Sequence, residues 1–483
     1  MDYQHPDDQQ LRPSARSTIA LLGISVIIAI VLYAIASNSA TASEHEDAEW
    51  EVWALDQGTD INRIHVYQHR GDGEFVEVES ISFGDLDAPH NQVQTPHMID
   101  FDDSNRYAAI ASTASGTVSI VRTSDYQVIE TIETGATAHM ALWAPDDSIW
   151  VANIGAQTFT QISSDLENEI FEIERDIPLT ADLQAGNWPG WNETYGDDLE
   201  EWPGPVCHEF TPDGQYAYVT MGPMDGGLVV VNLESGEIET AFDPQEVRAN
   251  CGLAFSPNHG QMYANWSGDL ADIDDPLDAE PGEWYVFDTN THELVAAYDA
   301  YGPESQGLDP HGTRVSPDGN EMWQVNRVSH DGIVIDTESN AIIDEFELTD
   351  TPDIIGFSPD GKWLFVTLRG PNPASMPHVA EGQTPGVEVF DVETRESVAV
   401  LQPFGDNEAD ASDFHGINIR GPIEEPGRDD DTPAPADDAE DLVPATGGDG
   451  IPGGILSGSL AAFAAGLLAI GTLVRIRLAG RPN

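Results

Sequence analysis

From residue 50 to about residue 420 the chain is a series of short runs rich in Val, Ile, Tyr, Phe and Trp, interleaved with polar residues and separated by turn residues. Alternation with a period of two places successive side chains on opposite faces of a strand, so these runs predict β-strands. The runs also recur as a unit: a polar start, a short strand, a turn of Pro-Asp-Gly character and a second strand. The unit appears at Thr95-Pro96-His97-Met98, Ala138-His139-Met140, Val206 to Pro212-Asp213-Gly214, Cys251-Gly252-Leu253, Pro310-His311-Gly312 and Pro352-Asp353-Ile354. A seventh copy, Phe414-His415-Gly416-Ile417, ends after one strand.

The copies start at His97, His139, Val206, Cys251, His311, Asp353 and His415, at spacings of 42, 67, 45, 60, 42 and 62 residues. The short spacings fit a four-stranded propeller blade of about 40–45 residues. The seventh copy lacks three strands, and the runs Glu51 to Ala54, Ile64 to Gln68 and Val76 to Phe83 supply them. The expected fold is therefore all-β: a seven-bladed β-propeller over residues 43–420, closed by pairing N-terminal strands with a C-terminal one, which removes exposed sheet edges.

Antiparallel order within a blade fixes which turns share a face. The long insertions, Asp176 to Pro205, Ser267 to Glu283, Ala300 to Asp309, Gly370 to Gly386 and Pro403 to Asp413, all fall on one face, where sites are commonly built. The copy starts open the innermost strands on that face and so ring the axial mouth. His97, His139, His311, His415, Cys251 and Asp353 occupy six of these starts, and His208 lies two residues beyond the remaining one. Such a ring offers the donor chemistry of a copper or zinc site. A polar channel for an organic ligand and a purely structural ring are the alternatives. Asn153, Gln157, Trp266, Asn326, Arg327 and Arg369 are nearby candidates for ligand binding, the two arginines toward a carboxylate or phosphate. Cys207 and Cys251 open adjacent blades, and a disulfide between them would withdraw both thiolates from a metal. The acidic run from Asp269 to Asp278 lacks the spacing of a calcium loop and reads as solvated surface.

Composition changes the setting more than the fold. The 86 acidic residues against 18 basic ones give a formal charge of -68, with Lys362 the sole lysine. Nucleic acid is excluded as a partner, since phosphate binding needs clustered Lys and Arg. A charge spread along the whole chain points to a salt-adapted, halophilic setting, where screening suppresses self-repulsion. The sequence has no C-x-x-C-H run for a covalent c-type haem and no nucleotide-binding G-x-x-x-x-G-K-[ST] run.

Both ends carry membrane signals. Residues 1–42 hold Arg12 and Arg16, an apolar stretch from Thr18 to Ala36 and Ala40-Thr41-Ala42, as in a signal peptide or a retained N-terminal anchor. Residues 421–446 form an acidic, Pro-rich stalk expected to be disordered. Residues 447–483 contain a second apolar span, Ile455 to Val474, followed by Arg475, Arg477 and Arg481, which places the intervening chain outside the cell. Val443-Pro444-Ala445-Thr446-Gly447 ahead of that span resembles the L-P-x-T-G cell-wall sorting signal, with Val443 in place of Leu. A plain C-terminal transmembrane anchor is the alternative.

The Ser-Pro-Asp-Gly turns followed by strands such as Trp363-Leu364-Phe365-Val366-Thr367 resemble the YVTN, or YncE-like, propellers over roughly residues 50 to 420. The propellers of cytochrome-d1-type nitrite reductase and nitrous oxide reductase are similar in shape, and the latter gathers histidines at its axis for copper. The resemblance implies the fold and leaves function to the site. The expected function is a surface-tethered module binding a small ligand or metal ion at a His-rich axial mouth. A copper- or zinc-dependent oxidoreductase or hydrolase using the same histidines is the rival, and adhesion to a surface protein a third reading.

Overall fold

The protein is seen in a computed structural model that describes residues 50–422, apart from 59–60, 72, 84–93, 187, 189, 223–225, 271–274, 377–378 and 403–408. Seven four-stranded antiparallel sheets form the seven blades of a propeller. The expected apolar spans, signal peptide, stalk and sorting signal lie outside the described residues. Among those residues no helix is long and apolar enough to cross a membrane.

Blade 1 takes Glu51–Asp56, Arg63–His69 and Phe75–Ser82 from the N-terminal side and is completed by Phe414–Arg420 as its innermost strand. The closing pair runs antiparallel, with Val52 opposite Ile419 and Ala54 opposite Ile417. Glu51 and Arg420 face each other across this closure at 2.9 Å, both nearly buried. Burial would raise the Glu51 pKa, but the Arg420 guanidinium outweighs it and holds the carboxyl below its usual range.

Blades 2 to 7 follow in chain order. Their innermost strands are Pro96–Phe101, Ala138–Trp143, Gly204–Phe210, Leu253–Ser256, Pro310–Val315 and Pro352–Phe357. The recurring turn has a local cause. In blade 6 the Ser316 hydroxyl donates to Asp318 at 2.6 Å and accepts from Glu321 N–H at 3.0 Å. Ser358, Asp360 and Trp363 N–H repeat this in blade 7. Gly319 and Gly361 take φ of 76° and 69°, a region that side chains enter at a cost.

The core lies between blades, because alternate residues of each strand face each neighbouring sheet. Trp323, Val325, Val334 and Phe346 of blade 6 meet Ile355, Leu364 and Phe390 of blade 7. Trp53, Ile64 and Val66 of blade 1 meet Ile99, Ala108 and Ile110 of blade 2. The outermost strands expose large apolar residues such as Val295, Ile343 and Val398, and Leu277 and Tyr301 are exposed between strands. The insertion after blade 3 carries two short helices, Leu179–Ala185 and Trp191–Tyr195, and buries Trp191 against Trp202.

Candidate functional site

A backbone device at the start of the innermost strand aims the axial side chains. In blade 2, Pro96 pairs with Ser112 while Met98 pairs with Ala111, so His97 is an extra residue on the inner strand. The same one-residue excess occurs between Ala138 and Met140, Pro205 and His208, Pro310 and Thr313, Pro352 and Ile355, and Phe414 and Ile417. A bulge of this kind redirects a side chain out of the regular alternation. Thr95, Thr137 and Asp309, each two residues ahead of an axial histidine, have positive φ of 56°, 56° and 62° and set up the bend.

His97, His139, Val206, His311 and His415 consequently line one small cavity of about 60 Å³, together with Cys251 ahead of the blade 5 inner strand and with Arg327, Ser375 and Met376. His97 and His139 approach with their Nε2 atoms 2.9 Å apart. The His415 ring stacks on His97 at 3.7 Å between centroids. Gln57 settles the His97 tautomer. Its amide nitrogen points at the Asp413 carboxylate at 2.9 Å, so its oxygen faces His97 Nδ1 at 2.7 Å and must accept from it. Likewise His415 Nδ1 donates to the His97 carbonyl at 3.1 Å, and His311 Nδ1 lies 2.7 Å from Asp353 Oδ1. His97 and His415 are thus anchored through Nδ1, which turns Nε2 into the ligand nitrogen, as hydrogen-bonded partners of a ligand do at metal sites.

Burial pushes His97 and His415 well below the usual histidine range, with Asp353 opposing it and the Arg369 guanidinium adding to it at both. The same burial, together with His311, lowers His139 to about 3, with the Val206 backbone pulling the other way. These rings are neutral near pH 7. A neutral His139 has one proton and two claims on it, from His97 Nε2 and from the Val206 backbone.

The far side of the mouth is charged. Arg369 clamps Asp413 through two bonds of 2.6 and 2.9 Å and reaches Asp353 at 2.5 Å. Arg327 clamps Asp309 through bonds of 2.7 and 2.9 Å and comes within 3.7 Å of Asp353. Burial alone would raise the Asp353 pKa. His415, Arg369 and His311 outweigh it, and Arg369, permanently charged and in contact, is enough to hold the carboxyl well below its usual value. Three carboxylates against two guanidinium groups leave this buried cluster one negative charge, to be answered by a histidine or a bound cation.

Several expected roles change in the structure. Cys251 is bonded to Cys207 in a disulfide, with Cα atoms 5.1 Å apart, so it offers no thiolate as it stands. His208 is not in the ring. The bulge at Val206 and Cys207 flips the alternation, so Cys207 Sγ turns toward His139 while His208 is buried between Phe159 and Phe210. Arg327 and Arg369 are committed to carboxylates. Asn153 is held among Thr134, Thr158 and Thr160. Gln157 pins the helical insertion through the carbonyls of Leu199 and Trp202. Trp266 lies beneath Arg248 at 4.3 Å, and Asn326 donates to Asp331 at 2.6 Å. Asp353 joins His311 and His415 in a buried group with metal-ligand spacing.

Three contributors escape the sequence reading. Asp309 and Asp413 stand two residues before His311 and His415, a shared position that was a usable signal. Gln57 gave none, because only the closure of blade 1 brings it to the axis.

No family model and no curated protein matches this chain. Among solved structures, Kuenenia stuttgartiensis hydrazine synthase is similar at 15% identity and a TM-score of 0.46, over 64% of this chain and 78% of that one.

Proposed function

We propose that the propeller binds one copper or zinc ion at its axial mouth, through Nε2 of His97 and His139 with His311 and His415 beside them. The observation that carries this is the His97–His139 pair. With the His97 proton fixed on Nδ1 by Gln57, its bare Nε2 stands 2.9 Å from His139 Nε2. Two nitrogens at about 2.0–2.1 Å from one ion are roughly 3 Å apart when cis. The leftover negative charge among Asp309, Asp353, Asp413, Arg327 and Arg369 favours a cation over an anion at the same place.

Cavity size separates this reading from an organic-ligand site. About 60 Å³ accepts an ion and a few water-sized groups, whereas ligand pockets span roughly 300–1,000 Å³. If chemistry occurs here, its substrate is a molecule of a few atoms occupying an open coordination position. The flanking segments favour display on the outer face of the cell, tethered to membrane or wall, in high salt.

The test is metal content by mass spectrometry on untagged protein purified in high salt, loaded with copper or zinc and dialysed. One ion per chain is expected, with loss of at least nine-tenths of it in His97→Ala/His139→Ala. A folded wild type that retains no metal overturns the proposal.

A further inference from the structure

The bridge between Cys207 and Cys251 ties the inner-strand start of blade 4 to the segment entering blade 5. It lies at the same mouth: Cys251 lines the cavity, and both residues are buried. The two sulfurs and a ring nitrogen of His139 all lie within 4.8 Å of one another. Cys207 Sγ is 3.6 Å from His139 Nδ1. A thiolate at ~2.3 Å and an imidazole at ~2.05 Å on one tetrahedral ion are about 3.6 Å apart. One of the three edges of a thiolate–imidazole site is therefore already spaced; the sulfur–sulfur edge opens to about 3.8 Å on reduction, and Cys251 Sγ starts within 4.8 Å of the His139 nitrogen.

We infer that the disulfide is a masked metal site, opened by reduction and selective for a thiophilic or borderline ion such as zinc. A thiol or phosphine reductant supplies two electrons, and with two protons the S–S bond becomes two thiols. A divalent ion then displaces both thiol protons and forms two metal–sulfur bonds. His139 Nδ1 supplies the third protein ligand, and water completes the tetrahedron. His139 thereby faces two sites, Nδ1 toward the sulfurs and Nε2 toward His97. Using Nδ1 on a metal puts the ring proton on Nε2, where it donates to His97 Nε2 and withdraws both rings from the axial ion. This last step alone rests on the axial-metal reading; the masked site stands without it.

The test uses the full chain in high salt with cobalt(II) as the probe, before and after anaerobic treatment with a phosphine. Reduced wild type is expected to take up one cobalt with a near-ultraviolet thiolate-to-cobalt charge-transfer band. Oxidised wild type and a Cys207→Ser/Cys251→Ser variant should show no such band, and His139→Ala should bind at least tenfold more weakly in the reduced state. Cobalt or copper bound by the oxidised protein without that band reports the axial site separately, so the two readings fail separately. The proposal is overturned if reduced wild type yields two titratable thiols and a native circular dichroism spectrum but no charge-transfer band. Loss of the native spectrum on reduction overturns it equally, since the site requires the assembled blades.

Discussion

Blades 2 and 3 bring His97 and His139 to the axis as neutral rings, steered by an amide and with two nitrogens facing each other. Across the mouth, blades 6 and 7 use the same bulged position for His311 and Asp353, braced by Arg327 and Arg369. Between them, blades 4 and 5 contribute a disulfide. The backbone device repeats, but its chemistry does not. The half with charges is braced by arginine–aspartate pairs, so it reads as a support, although it keeps one negative charge in excess. The half with imidazoles meets through two Nε2 atoms that must share one proton, so it reads as the place where something binds.

The largest expected effect breaks the support. Asp353→Asn strips the buried arginines of a shared carboxylate and should cost about 3–5 kcal/mol in urea unfolding at pH 7, the scale for opening a buried ion pair. A loss below about 1 kcal/mol would show that the charged half is not structural.

Loosening the other half should act chiefly on binding. Gln57→Leu removes the group that fixes the His97 proton and should weaken metal binding ~10–100-fold, the usual scale for a partner that orients a ligand, while the lost bond to Asp413 costs about 1–3 kcal/mol of stability. Equal affinity would mean that tautomer control at His97 does not matter.

A control sits outside the mouth, in the wall between blades. Burial lowers His208 to about 3, opposed only by the Trp150 backbone. A histidine with a depressed folded pKa contributes full stability above the unfolded value near 6.5 and loses it as pH falls toward the folded value. Wild type should therefore lose about 2 kcal/mol more than His208→Leu between pH 7.5 and pH 5. Parallel acid profiles would place His208 in water.

The smallest effect belongs to Asp100, whose carboxylate accepts from Trp143 N–H at 2.9 Å and Asn418 at 3.0 Å. Burial, only partly offset by the Trp143 N–H and Arg314, raises its pKa to about 7. The sign is opposite to that of His208: the native state holds the proton more tightly, so stability declines as pH rises from about 4 to 7. Asp100 is partly exposed, which reduces the expected contribution to on the order of 1 kcal/mol. Melting curves of Asp100→Asn should lack that decline.

The blade count and ring closure were legible because the Ser-Pro-Asp-Gly turn is local chemistry, repeated wherever a hydroxyl, a carboxylate and a glycine meet. Four axial histidines were legible for the same reason: each marks a copy start. His208 was misplaced because strict alternation was carried through Val206 and Cys207, where a single extra residue reverses it. The pairing of Cys207 with Cys251 was one of two open alternatives, since spacing does not say whether adjacent starts face each other. Arg327 and Arg369 were read as ligand binders because Asp309 and Asp413, their partners, were taken only as ends of loops.

The central claim is that the imidazole half of the mouth holds a metal through nitrogen. X-ray absorption at the metal edge on oxidised, copper- or zinc-loaded protein tests it most directly. The account predicts at least two imidazole nitrogens at about 2.0 Å, with no sulfur scatterer, and their loss in His97→Ala/His139→Ala. A first shell of oxygen alone, unchanged in that variant, would contradict it.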